Sequence, residues 1–316
     1  MAHFPPAVLA HFARCHGIAG TQQLRDLGMS DHLIRSMREA GNLERVVEGV
    51  YRLPAIPLDE YARCVAMSVR HQDATISGPT AGRLWGFRRL PSDQRIHLIV
   101  SPASQHCVES WVRQYRTAAI HEHDRVFRPD GIVVTSRART ALDLARVLDG
   151  PSLLSVIEQA AADGGLTRQE LRAVAVDWLS PQRPWLRRYL ELVNRRLPGG
   201  PAESHAEVRV GDLMRRRSIS GLERQYSIDL PGYGPARFDL AVPSLCWAIE
   251  IDLFPTHRET IGRRADEHRD RCAATVGWSV TRLGTADLDV TDGALGTRLL
   301  GEYRRRRAAR HPVDRR

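Results

Sequence analysis

The stretch Arg237-Phe-Asp239-Leu-Ala-Val-Pro-Ser-Leu-Cys-Trp-Ala-Ile-Glu250-Ile-Asp252 limits the fold of this chain more than any other. It reads as two apolar strands joined by a tight turn at Pro243-Ser244, with carboxylates planted among the apolar residues. With a two-residue turn, Val242 opposes Leu245 and Asp239 opposes Ala248. Side chains alternate faces along a strand, which puts Asp239, Glu250 and Asp252 on one face. Diagonal neighbours on such a pair lie roughly 7–8 Å apart. That spacing suits two carboxylates sharing a hard divalent ion, with water or phosphate between them. Acids crowded on one strand pair repel one another unless a cation, a proton or an arginine intervenes. Two readings stay open: a metal-type site, or acids that cap the strands at a wet edge.

The chain has 316 residues, enough for two or three domains. No stretch approaches the roughly 20 apolar residues of a membrane span, so no membrane partner is expected. The N-terminal Met-Ala-His-Phe-Pro-Pro lacks the basic-then-apolar order of a signal peptide, and the expected location is cytoplasmic. Five cysteines are scattered without a Cys-x-x-Cys pair, which points to neither a zinc site nor a disulfide framework. There is no lysine, and all 46 basic residues are arginine. That excludes a Schiff-base lysine, a catalytic lysine and a P-loop lysine, and no nucleotide cofactor is expected. The net charge of +9 favours polyanionic partners. Arginine suits bidentate contact with phosphate and guanine, so DNA is the expected partner.

Residues 6–53 form a compact unit. Pro6 to His16 reads as a helix, and Gly20-Thr21 starts a second. Ser30 caps a third, from Asp31 to about Ala40, with Leu33, Ile34 and Met37 inward and His32, Arg35, Arg38 and Glu39 outward. Leu43 to Leu53 reads as a hairpin turning at Glu48-Gly49. Helix, helix, helix, hairpin is the order of a winged helix-turn-helix, whose third helix enters the major groove. Arg35 and Arg38 then face bases or phosphates, and Arg45 and Arg52 on the wing reach the backbone. Residues 1–53 hold six arginines and five acids, so the unit is nearly neutral.

Leu58 to about Arg70 is expected to be helical, and Thr75 to Gly86 a strand leading into a short helix. Strands are expected at Arg95–Ser101, Ala118–His121 and Gly131–Thr135, then an amphipathic helix over Ser136–Leu148. His121 and His123 fit solvated strand-end histidines better than metal ligands. Residues 151–197 look all-helical, with a capping box at Thr167 and Glu170. Arg183, Arg187, Arg188, Arg195 and Arg196 lie near Trp178 and Trp185. They line a nucleic-acid groove or form a solvated helix face over buried indoles. After Pro198-Gly-Gly-Pro201 comes the order α-β-β-β-α-β, closing on Gly277 to Leu283. Seven arginines from Arg304 to Arg316 suggest a frayed helix or a disordered tail that touches phosphate nonspecifically.

The ordered set Ser204-His-Ala-Glu207-Val-Arg209, Arg237-Phe-Asp239, Glu250-Ile-Asp252, His257, Asp266-Glu-His-Arg269 and Gly277-Trp278 resembles the PD-(D/E)XK nuclease superfamily. It looks nearest to the small restriction-like domains around the very-short-patch mismatch-repair endonucleases. The resemblance implies that Asp239 and Glu250 hold Mg²⁺ or Mn²⁺ against a scissile phosphate, while Glu207 completes the shell or positions a water. It gives His257 the role of activating water or protonating the leaving oxygen, and Arg269 that of stabilising phosphate charge. Asp252 stands where the superfamily usually has lysine. Leu253-Phe254-Pro255 stands where the branch usually has glycine.

The wing from Gly41 to Leu53, with the segment Ser77 to Gly86, resembles the antitoxin-type regulators of abortive-infection (type IV toxin–antitoxin) systems. Such regulators repress their own operon and oppose a nucleotidyltransferase-like toxin, so a phage-defence setting and such a partner are implied. The expected fold is α/β (α+β), in five parts. A winged helix-turn-helix spans 1–54, a mixed α/β block 58–150 and a helical connector 151–198. A restriction-endonuclease-like domain spans 202–300, and an Arg-rich tail 301–316. Two functions follow: a metal-dependent DNA endonuclease steered by the winged helix, or a noncatalytic autoregulator and antitoxin.

Overall fold

The computed structural model describes residues 3–104, 109–178, 183–196, 200, 202–252 and 260–310, without the side chains of 177 and 260–266. The chain divides into two compact units: Met1–Leu148 with Arg172–Leu186, and Asp149–Leu171 with Arg187–Arg316. Residues 151–198, expected as one connector, are thereby shared between both units.

The first unit begins with α1 (Pro6–Arg14), β1 (Ile18–Gly20), α2 (Thr21–Asp26), α3 (Asp31–Glu39), β2 (Glu44–Val47) and β3 (Val50–Arg52). Pro6 sits in the first turn of α1, where a missing N–H is harmless. Ser30 Oγ accepts the Leu33 N–H at 3.2 Å and caps α3. Gly49 supplies the left-handed turn of the wing at φ +73°. Val8, Phe12, Leu24, Ile34, Met37 and Tyr51 close one core beneath a sheet of order β1-β3-β2. This is a winged helix-turn-helix. Its first strand, Ile18-Ala-Gly20, is too short to show any alternation and was not expected.

The same unit continues through α4 (Glu60–Arg70), β4 (Thr75–Ile76), α5 (Gly78–Leu84), β5 (Ile96–Val100), β6 (Val112–Arg116), β7 (Arg125–Phe127), β8 (Val133–Thr135) and α6 (Arg137–Leu144). The strands form a mixed sheet of order β6-β5-β4-β8-β7. The strand expected at Ala118–His121 is absent. Its place in the sequence order is taken by β6, an edge strand whose Arg113, Gln114 and Arg116 hide it from a search for apolar runs. Helix α6 is not amphipathic: Ala138 to Leu144 are all buried, Arg139 and Asp143 included. Arg139 donates through Nη1 to Asp124 Oδ2 at 2.8 Å and to the Ala119 carbonyl at 2.7 Å, and through Nε to Asp143 Oδ1 at 3.2 Å, so its buried charge is paired with two carboxylates. Trp178 is buried under the guanidinium groups of Arg139 and Arg183, 4.9 and 4.7 Å from the ring centroid. Arg146 lies over both Trp178 and Trp185. Of the arginines read as a groove or a solvated face, Arg183 packs on an indole.

The remaining elements are α7 (Gly150–Gly164), α8 (Arg168–Ala173), α9 (Pro184–Asn194), α10 (His205–Arg216), β9 (Glu223–Leu230), β10 (Gly234–Val242), β11 (Trp247–Asp252), α11 (Thr260–Thr275), β12 (Ser279–Gly284), α12 (Thr285–Asp289) and α13 (Asp292–Arg310). The capping box of α8 is present, with Thr167 N–H donating to Glu170 at 2.8 Å and Glu170 N–H to Thr167 at 3.2 Å. The second unit's sheet has the order β12-β11-β10-β9, with β11 and β12 parallel and the rest antiparallel. One core joins the sheet to α10 and α13 through Leu213, Trp247, Ile249 and Leu299. Another joins it to α11 through Phe238, Ala248, Ala273 and Trp278. Glu158 of α7, fully buried, meets Arg224 of β9 at 2.6 Å and Arg196 at 3.2 Å. Of the two readings of the Arg-rich tail, residues 304–310 are helical, as the end of α13, which has Leu299 and Tyr303 buried; residues 311–316 lie outside the described residues. Among the described residues no helix is long and apolar enough to cross a membrane.

Candidate functional site

Two sites follow from the fold. On α3 the buried pair Ile34 and Met37 turns His32, Arg35, Arg38 and Glu39 to solvent. Arg25 grips Asp31 with two hydrogen bonds of 2.7 and 3.1 Å and so ties α2 to the start of α3. The Arg38 guanidinium lies 5.7 Å from the centre of the Tyr51 ring, which steers it along the wing. Arg45 is exposed on β2. Arg52 is not available in the same way. It is ion-paired to Glu44 at 2.5 Å and donates to the Ile56 carbonyl at 2.9 Å, with only 21% of its side chain exposed. The pairing of Asp31, Glu44 and Glu48 with arginines sorts a nearly neutral composition into a positive surface around Arg35, Arg38 and Arg45, with Glu39 beside them.

The second site lies on β10 and β11. Their connection is four residues long, Pro243 to Cys246, with a 3-10 turn closed by Cys246 N–H to the Pro243 carbonyl at 3.0 Å and Cys246 at φ +44°. The ladder runs Val242↔Trp247, Ala241↔Ala248, Leu240↔Ile249, so the expected two-residue turn and its register are wrong by two. Proline at the first turn position favours the 3-10 start, and the sequence of the turn does not advertise a left-handed cysteine. Because side chains repeat every two residues, a slip of two leaves the faces unchanged. The acids therefore still come together, and Asp239 falls beside Glu250. There Asp239 Oδ2 accepts the Ile251 N–H at 2.8 Å.

Glu250 Oε2 lies 3.2 Å from Arg269 Nη2, whose guanidinium also covers the Phe238 ring at 5.7 Å. Glu250 Oε1 is buried with no hydrogen-bond partner among the described residues. Burial pushes the Glu250 carboxyl up to about 7; Arg269 pulls it down and the charge of Asp239 pushes it further up. Burial also raises Asp239, against the pull of the Ile251 N–H, with Glu203 adding repulsion. Glu207 is raised by burial and, more weakly, by Asp239. Its main task is visible in its bonds. Its N–H donates to Ser204 Oγ at 3.1 Å, and its Oε2 accepts the Glu203 N–H at 2.9 Å, a cap on α10. Gln225 Nε2 donates to the same Oε2 at 2.9 Å from a backbone at φ +48°, strained for a glutamine. Nothing in the strand pattern of Glu223 to Leu230 singles Gln225 out.

The structure thus brings Asp239, Glu250 and Arg269 together and joins Glu207 to them electrostatically. Asp252 closes β11 opposite Gly284, and His257 and Leu253-Phe254-Pro255 lie outside the described residues. Among the described residues no group of three or more His, Cys, Asp or Glu side chains is placed to hold a metal ion. Two carboxylates nevertheless fit Mg²⁺, which commonly takes one or two and keeps its waters. The open Oε1 of Glu250 is the donor such an ion would meet, while Arg269 competes for Oε2. His121 and His123 stack at 5.2 Å in an exposed 3-10 turn.

Residues 6–54 match the family model of the transcriptional regulator AbiEi antitoxin. The match coincides with the winged helix and does not extend to β10 and β11. Over 278 residues the chain is 27% identical to two Mycobacterium tuberculosis relatives, covering 85% of this chain and 95% of each of theirs. They are the uncharacterized proteins MT2308 of strain CDC 1551 / Oshkosh and Rv2248 of strain ATCC 25618 / H37Rv. The crystal structure of the RV2827C protein from the same organism is 16% identical, with a TM-score of 0.41 over 67% of this chain and 82% of that one.

Proposed function

We propose that this chain is a cytoplasmic DNA-binding transcriptional regulator of the antitoxin type. It holds the promoter of its own operon through α3 and the wing, and it opposes a toxin of the nucleotidyltransferase-like class that the resemblance implies. The observation that carries this reading is the winged helix with Arg35 and Arg38 on the free face of α3, in a segment matching an antitoxin regulator. An α-helix fits the major groove, and arginine there reads guanine or holds phosphate. The test is binding of the DNA upstream of the gene by fluorescence anisotropy over a range of salt. Arg35→Ala with Arg38→Ala is expected to weaken binding at least tenfold, since a bidentate arginine on a base is worth about 1–3 kcal/mol. For every phosphate that an arginine no longer neutralises, the salt slope flattens by about 0.9. Arg52→Ala, whose guanidinium is turned inward, leaves that slope unchanged. Equal binding by the double variant and the wild type would remove α3 from the interface.

One observation favours a second reading: the buried Oε1 of Glu250 beside Asp239, without a hydrogen-bond partner among the described residues. In that reading the second unit is a metal-dependent DNA endonuclease, with Asp239 and Glu250 holding Mg²⁺ or Mn²⁺. The ion would polarise a phosphoryl oxygen, and Arg269 would face the developing charge. Under this reading the wild type nicks plasmid DNA with Mg²⁺ or Mn²⁺, and Asp239→Ala and Glu250→Ala each abolish it. The metal also raises the thermal midpoint of the wild type alone. No cutting with either ion leaves the regulator as the sole reading.

A further inference from the structure

The first unit contains a cavity of about 420 Å³ whose lining includes none of Arg35, Arg38 and Arg45. Its size lies within the range of small-molecule sites. One side is the winged helix, at Thr21 and Gln22 of α2 and at Glu48 of the wing turn. The other is the end of α4, with Ser68, Arg70 and, just beyond, Gln72. The two sides meet closely beside the cavity, for a Cβ on Gly20 would lie 2.6 Å from Val69 Cγ1.

The lining has one cation and one anion. Arg70 meets Glu48 at 2.7 Å, with 32% and 81% of their side chains exposed. So exposed a pair is held weakly, and Glu48 is free to swing into solvent when another anion reaches Arg70. Other polar groups of the wall are already committed. Thr21 donates through its N–H and its hydroxyl to the Gly49 carbonyl, at 2.8 and 3.1 Å, and Gln23 accepts the Gly20 N–H at 2.8 Å. The two Thr21 bonds fasten the wing turn to the start of α2. A ligand entering here therefore meets the Arg70 guanidinium and the Gln72 amide, against a wall whose shape sets the position of the wing.

We propose that this cavity binds a small organic anion, a molecule of metabolite size carrying a carboxylate or phosphate, whose charged head takes the place of Glu48 on Arg70. Displacing Glu48 removes the ion pair between the wing turn and α4, shifts the charge at the wing and changes the DNA affinity. The coupling to DNA rests on the regulator reading; binding does not, and it is measured on the free protein.

The experiment follows the thermal midpoint of the full chain with sodium phosphate or sodium succinate, against sodium chloride of matched ionic strength. At a tenfold excess over Kd the wild type is expected to gain about 2–4 °C with at least one of the two, and the more effective anion names the head group. Arg70→Gln loses the gain. Glu48→Gln binds the anion up to about fivefold more tightly, because the competing carboxylate is gone. Gln72→Trp fills the cavity and blocks binding with Arg70 intact, which keeps the test decisive if Arg70→Gln folds poorly. No gain over chloride with either anion overturns the proposal. So does a loss of binding in Glu48→Gln equal to that in Arg70→Gln, which would mean that the pair serves only to pack the wing.

Discussion

Arg224→Ala is expected to destabilise the second unit by about 3–5 kcal/mol, a large part of what holds an ordinary domain together. Glu158 is fully buried and Arg224 nearly so, and they meet at 2.6 Å, with Arg196 closing on the other oxygen of the same carboxylate at 3.2 Å. Removing Arg224 leaves a carboxylate in the interior with only the partly exposed Arg196 beside it. The loss is therefore larger than the worth of the pair itself, because an uncompensated charge stays behind. The converse change separates the two contributions. Glu158→Leu with Arg224→Met removes both charges and keeps the volume, and it is expected to recover most of the stability lost by either single change. Amide exchange along β9, β10 and β11 reports this unit specifically, since tryptophans occur in both. Unchanged protection in Arg224→Ala would mean that water reaches Glu158.

The second unit is also expected to lose stability as the pH rises from about 5 to 8, through Glu250. Its carboxyl moves from an ordinary 4.5 to about 7 on folding. Between those values the folded protein holds a proton that the unfolded chain has released. Stability must then fall as pH increases through this window and level off above about 7. At about 1.4 kcal/mol per unit the limit is about 3 kcal/mol, and Asp239 and Glu207 shift in the same direction. Glu250→Gln carries no proton to lose. It should match the wild type near pH 5 and exceed it at pH 8 in thermal unfolding. Parallel pH profiles for the two proteins would show that Glu250 ionises freely in the folded state. If the endonuclease reading holds, Mg²⁺ offsets the loss at pH 8 in the wild type and leaves Glu250→Gln nearly unaffected.

Much of the winged helix is legible because its signals are local. The Ser30 cap, the Ile34 and Met37 stripe and the Glu48-Gly49 turn each act within a few residues. The shared face of Asp239 and Glu250 is legible for a different reason, since a period of two survives an error of two in the register. What escapes sequence reading depends on side-chain partners that no periodic pattern announces, whether near or far along the chain. Arg52 looks like a phosphate ligand until Glu44 and the Ile56 carbonyl are seen to hold it. Arg139 looks like the polar face of a helix until Asp124 arrives from another loop. Glu207 reads as part of a reacting centre, and its bonds to Ser204 and to the Glu203 N–H add a cap that the motif alone does not show. The left-handed backbone at Gln225 and Cys246 has no glycine to announce it.

The backbone passes from one unit to the other after Leu148, Leu171 and Leu186. Most two-part proteins can be divided by one cut, and evolution recombines their halves at that seam. Here a gene ending near codon 150 would encode the winged helix without Trp178, leaving the guanidinium of Arg139 with no ring to lie against. A gene beginning near codon 187 would encode the last sheet without Glu158, stranding Arg224 in its core. The two units are thus interlaced in sequence, and no single cut of the chain leaves both with all of their own residues.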